Sequence, residues 1–136
     1  MSTLEKLKSM IKATAIYPTG SKYICNPPVE DTDEDYLVLV DDFSDTHAAL
    51  QDLGWVNCAD DLVDAYNEEK EYGTIWYAMR KGSLNIMFSK DRSWYLRSVA
   101  ATELCKVWNV LDKQARIRIF RGLKYGETYL DNDLPY

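Results

Sequence analysis

Thr32-Asp33-Glu34-Asp35-Tyr36-Leu37-Val38-Leu39-Val40 decides how this chain is read. Tyr36 to Val40 is a short unbroken apolar run, the pattern of a central strand covered on both faces. The two aspartates lie two residues apart as the chain enters that strand. In extended backbone, residues i and i+2 point the same way, so both carboxylates are expected to converge at the strand's edge. Convergent carboxylates repel and desolvate poorly unless a cation lies between them. Mg²⁺ suits hard oxygen ligands and keeps waters or substrate phosphates as its remaining ligands; Mn²⁺ is a plausible substitute. A pair of such ions about 4 Å apart can activate an attacking hydroxyl and stabilise a leaving pyrophosphate.

Upstream stands Pro18-Thr19-Gly20-Ser21, which is turn chemistry. Glycine lets backbone approach a phosphate closely, and the serine hydroxyl and neighbouring amides can donate to it. Taken alone, Gly-Ser reads as a plain turn, and Asp-x-Asp as a pair of surface acids. Downstream, Thr74 to Met79 is rich in strand formers, Arg80-Lys81-Gly82-Ser83 suits a hairpin turn, and Leu84-Asn85-Ile86-Met87-Phe88 is the return strand. Leu84, Ile86 and Phe88 share one of its faces, Asn85 and Met87 the other.

Helices complete the pattern. Ser2-Thr3-Leu4-Glu5 fits a capping box, followed by Leu4, Leu7 and Ile11 on one face. Ser44 or Asp45 is placed to cap a short helix that ends before Gly54. After Asp91 the pattern is helical through Trp94, Leu96, Val99, Leu104, Val107 and Trp108, and Asp112 can cap a last helix carrying Ile119, Phe120 and Leu123 that stops at Gly126. Cys25 to Asp35 reads as an irregular loop, and Trp55 to Tyr72 as a loop or frayed helix. The expectation is one α+β domain over residues 1–126, a short mixed sheet with helices mainly on one face, and an acidic tail over 127–136.

The formal charge of −6 gives no overall field that would draw the chain to nucleic acid, and long duplex DNA is not expected as a partner. No apolar run is long enough to cross a bilayer, and no signal-peptide core opens the chain, so a cytoplasmic location and no membrane partner are expected. Cys25, Cys58 and Cys105 have neither paired nor metal-ligand spacing and read as free thiols. His47, the single histidine, reads as a surface or capping residue. Trp76, Trp94 and Trp108 read as core, and Tyr23 and Tyr36 as packing residues that could stack on a base. Lys113, Arg116, Arg118, Arg121 and Lys124 make the last helix basic. Lys113 and Arg116 share a face and are candidates to receive a triphosphate, or else a solvated face paired with the acidic tail; Lys90 and Arg92 are weaker candidates for the same role.

The ordered combination resembles the nucleotidyltransferases of the DNA polymerase β-like superfamily: Gly-Ser, a short spacer (here Lys22 to Thr32), then Asp-x-Asp opening a hydrophobic strand, with a third ligand on a neighbouring strand. More narrowly, the Leu84 strand, Ala100-Ala101-Thr102-Glu103-Leu104 and Asp112 to Phe120 with Tyr125-Gly126 resemble small nucleotidyltransferase-like proteins of tailed bacteriophages. The resemblance implies transfer of a nucleotidyl group from a nucleoside triphosphate to a hydroxyl acceptor (an RNA end, a protein or a small molecule) with release of pyrophosphate. It puts Mg²⁺ on Asp33 and Asp35, the triphosphate on Gly20 and Ser21, and Asn85 at the third position. The chain departs from the pattern twice. Glu34 replaces an apolar residue between the aspartates, which suggests a later strand start. Asn85 stands where the family carries an acid; it can still ligate through its amide oxygen but cannot act as a base, and it can equally be a polar residue at a hairpin edge. That departure supports an alternative, a viral protein of the same fold, in the host cytoplasm, that binds a host protein through its acidic surface.

Overall fold

The computed structural model describes residues 3–27, 33–57 and 76–125. In chain order these form α1 (Thr3–Ile11), β1 (Ala15–Thr19), α2 (Ser21–Ile24), β2 (Glu34–Leu39), α3 (Phe43–Asp52), β3 (Val56–Asn57), β4 (Tyr77–Lys81), β5 (Leu84–Ser89), α4 (Arg92–Val107) and α5 (Lys113–Tyr125). The expected acidic tail and the stretch from Cys58 to Ile75 lie outside the described residues.

The strands make one five-stranded sheet in the order β1-β2-β5-β4-β3. β2 and β5 pair in parallel; the other neighbours are antiparallel. The β4–β5 hairpin turns at Gly82-Ser83, with Gly82 at φ 59, where a side chain is disfavoured. Pro18 is tolerated because β1 is an edge strand. β2 starts at Glu34, so the Glu between the aspartates does not delay the strand.

The layered α+β class agrees with the sequence, but the helices divide between both faces of the sheet rather than lying mainly on one. The cause is β2 itself. Tyr36, Val38 and Val40 point into a core with Leu7 and Ile11 of α1, Leu50 of α3, and Ile86 and Phe88 of β5. Leu37 and Leu39 point the other way, onto Trp94 and Tyr95 of α4, with Trp76 and Ala78. Both faces are apolar, so both are covered. A third cluster joins α2 and α5 to α4 through Ile24, Cys25, Ala101, Cys105 and Phe120.

Helix starts follow side-chain caps. Asp42, rather than Ser44 or Asp45, caps α3, accepting from the Asp45 amide at 2.8 Å. Asp91 caps α4 through the Trp94 amide, and Asp112 accepts from the Ala115 amide at 2.9 Å at the start of α5. Trp76 and Trp94 are buried and stack with ring centroids 5.8 Å apart. Trp108 is not core: it lies at the C-cap of α4, past the packed face, and is 64% exposed. His47 bridges α3 to β3, its Nε2 lying 3.0 Å from Asn57 Oδ1. Among the described residues, no helix is long and apolar enough to cross a membrane.

Candidate functional site

Strand register builds the site. Thr19 pairs with Asp35 across β1 and β2, and Asp35 pairs with Asn85 across β2 and β5. One row of the sheet therefore carries Thr19, Asp35 and Asn85, at the end where β2 and β5 begin and β1 finishes. Asp33 sits just before β2, two residues from Asp35 and on the same face. By the same alternation this is the face of Leu37, Leu39 and Met87, against which α4 packs.

The Asn85 carboxamide lies between the aspartates. Its Nδ2 donates to Asp33 Oδ2 at 3.0 Å and to Asp35 Oδ1 at 3.0 Å. Asn85 is only 9% exposed, and its Oδ1 is buried without a hydrogen-bond partner. Gly20 closes the other side of Asp35. It has φ 81 and ψ 175, and a Cβ built there would lie 2.0 Å from Asp35 Oδ2. Both the backbone angle and the lack of room demand glycine. Ser21 follows directly and opens α2.

Burial pushes the Asp35 carboxyl up to about 6; the charge of Asp33 adds to this, and the Asn85 hydrogen bond opposes it. A carboxylate held this far out of water beside another gains from a cation. Two carboxylates and an amide oxygen are hard donors that fit Mg²⁺ or Mn²⁺, with phosphate oxygens left to complete the shell. Among the described residues, no group of three or more His, Cys, Asp or Glu gathers as a metal site; the third polar side chain beside Asp33 and Asp35 is Asn85.

Asp35 also lines an open groove of about 260 Å³ with Lys22 and Tyr23 of α2 and Glu34 and Tyr36 of β2. Lys22 Nζ lies 4.0 Å from Glu34 Oε1, a half-exposed pair that leaves the ammonium exchangeable. In the sequence Lys22 falls in the spacer, and the one signal of its place in the groove is its position directly after Gly-Ser. Tyr36 is buried, its hydroxyl donating to Glu34. Behind the groove, Thr102 donates to the Ser98 carbonyl, so Thr19 donates to Thr102 at 2.7 Å. Tyr17 and Tyr23 both donate to Glu103 of α4, and Lys106 lies 3.6 Å from the Tyr23 ring centroid. These contacts pin the Gly20–Ser21 turn to α4.

The basic candidates fall elsewhere. Arg116 is 8% exposed, and its Nη1 donates to the carbonyls of Val110 and Leu111 at 3.0 and 2.8 Å, with Cys25 Sγ at 3.6 Å. This guanidinium is engaged in holding the α4–α5 connection, which corrects its expected place as an open phosphate receptor. Lys113 is exposed on the first turn of α5, with no described contact to the aspartates. Lys90 and Arg92 follow the far end of β5, about 16 Å from Asn85 at the rise of a strand, so they do not join the site.

No protein-family model matches the sequence, and no curated protein matches it. Among solved structures, the chain is similar to the crystal structure of the conserved protein GrpB from Enterococcus faecalis, with a TM-score of 0.55 and 13% identity, over 94% of this chain and 88% of that one. At that identity the similarity speaks for the fold alone: this chain shares the overall fold of that protein.

Proposed function

We propose that this chain binds a nucleoside triphosphate through a divalent metal and transfers its nucleotidyl group to a hydroxyl acceptor, releasing pyrophosphate. The observation that carries the reading is the convergence of Asp33, Asp35 and Asn85 on one edge of the sheet, with Gly20 packed against Asp35. In this reading Asp33 and Asp35 hold Mg²⁺, and Asn85 lines the metal position. Gly20 and Ser21 receive the triphosphate, and Lys22 supplies the positive charge that Arg116 spends elsewhere. The acceptor oxygen bonds to the α-phosphorus as the bond to pyrophosphate breaks, and the hydroxyl proton passes to solvent. When bound, the metal supplies charge stabilisation for the reacting phosphate and the leaving pyrophosphate. The groove is smaller than the roughly 300–1,000 Å³ of an enclosed ligand pocket, so the nucleotide lies along the sheet edge, partly in water.

The test is calorimetric titration of nucleoside triphosphate with Mg²⁺ or Mn²⁺ into the wild type and the Asp33→Ala/Asp35→Ala double variant. Binding lost in the variant is the expected result; equal binding, or none to either protein, ends the proposal. A second reading is motivated by the neutral Asn85: a protein of this fold, from a bacteriophage by its sequence resemblance, that binds a host protein without turnover. Nucleotide bound with no pyrophosphate released, together with a stoichiometric host partner, would favour it.

A further inference from the structure

We propose that the Asn85 carboxamide is a built-in stand-in for a cation, holding Asp33 and Asp35 together and competing with divalent metal for them. The inference rests on the metal-site reading above and adds to it a control on metal entry. The amide nitrogen has two protons, and each goes to a different carboxylate at 3.0 Å. The opposite orientation would set Oδ1 against two anionic carboxylates, so electrostatics selects the one observed. The register of Asp35 with Asn85 and the burial of the side chain hold the amide in place.

A cation cannot seat between Asp33 Oδ2 and Asp35 Oδ1 while the amide protons occupy those two oxygens, because like charges meet. Admitting it means surrendering two charge-assisted hydrogen bonds and turning the amide over. Oδ1, buried and without a partner in the present orientation, then faces the ion as a neutral ligand. An aspartate in the same place would behave oppositely: it would repel the pair without metal and bind the ion more tightly with it. Asparagine here therefore favours a folded, metal-independent site that takes up metal weakly, most readily when a triphosphate brings further oxygen ligands.

The experiment measures Mn²⁺ affinity from the free-ion electron paramagnetic resonance signal, and thermal stability with and without Mn²⁺, for the wild type, Asn85→Ala and Asn85→Asp. Asn85→Asp is expected to bind Mn²⁺ about tenfold more tightly than wild type, following the added ligand charge. Asn85→Ala is expected to bind at least as tightly as wild type, because it loses the competitor. Both variants should melt lower than wild type without metal and be stabilised more by Mn²⁺. Weaker Mn²⁺ binding by Asn85→Ala makes Asn85 a plain ligand and overturns the proposal while leaving the metal reading intact. No Mn²⁺ binding by any form, Asn85→Asp included, overturns both. A readout on wild type covers the case in which the variants do not fold. The Asn85 side-chain NH₂ pair should be protected from solvent exchange in an NMR amide spectrum and lose protection as Mg²⁺ is added; no change at saturating Mg²⁺ overturns the proposal.

Discussion

Asp35 is the residue on which most of the site's physics meets. It is squeezed between the Gly20 backbone and Asn85, beside a second carboxylate, and its folded pKa rises from 3.8 to about 6. A raised folded pKa means that the folded state holds a proton that the unfolded chain has already released. Below about pH 4 both states are protonated and the group is neutral for stability relative to its own charge. Between the two pKa values the unfolded state binds fewer protons, so stability falls as pH rises, and the full cost is present above about 6. Asp35→Asn keeps an oxygen acceptor for the Asn85 amide and removes the charge. Without divalent metal it should be more stable than wild type at pH 7, by about 3 kcal/mol. The gain should shrink toward pH 4, as read by urea unfolding across that range. A variant less stable than wild type at pH 7 would show that the carboxylate is stabilised where it sits.

At the scale of elements, the turn between α4 and α5 has its own clamp. The amide of Val110 is bonded to the Cys105 carbonyl, and Arg116 reaches back from α5 to the Val110 and Leu111 carbonyls. Arg116→Met would leave those carbonyls without their charged donor, and we expect a loss of about 2–3 kcal/mol in chemical denaturation. Asn85 and the aspartates lie on other elements, so Mn²⁺ affinity should be unchanged. A loss of triphosphate affinity at unchanged stability would instead return Arg116 to the phosphate role. The helix was legible in the sequence, from the Asp112 cap through Phe120. The direction of its arginine was not, because a basic stripe along a helix looks the same whether its side chains reach solvent or fold back onto a loop.

At the scale of the molecule, three clusters share the burial among the described residues, and the one joining α2, α4 and α5 contains two thiols. Cys25 and Cys105 are 4% and 0% exposed, and burial pushes the Cys105 thiol up to about 11. A buried thiol that stays protonated is a poor nucleophile. In the folded protein neither should react with a disulfide reagent, and both should react at the rate of global unfolding when denaturant is added. Rapid modification of either in native buffer would mean that α5 detaches from α4 well below the global transition.

What the amino-acid sequence determined by itself is local and periodic. The apolar run Tyr36 to Val40 had to be a strand covered on both sides. The alternation Leu84-Asn85-Ile86-Met87-Phe88 had to put Asn85 opposite its apolar neighbours. Asp33 and Asp35 had to share a face once the chain was extended. These follow from backbone geometry and side-chain spacing, which need no partner. What only the tertiary structure decided is which separate pieces meet. The parallel register of β2 with β5 sets Asn85 beside Asp35, fifty residues apart in the chain. The antiparallel register with β1 brings Gly20 against the same carboxylate. The third cluster turns Arg116 inward, and the division of helices over two faces follows from where the apolar sides of β2 point once the sheet has formed. A shift of one residue in either register would turn these side chains to the opposite face. That alignment is fixed by burial summed over the whole sheet, and no single segment of sequence displays it.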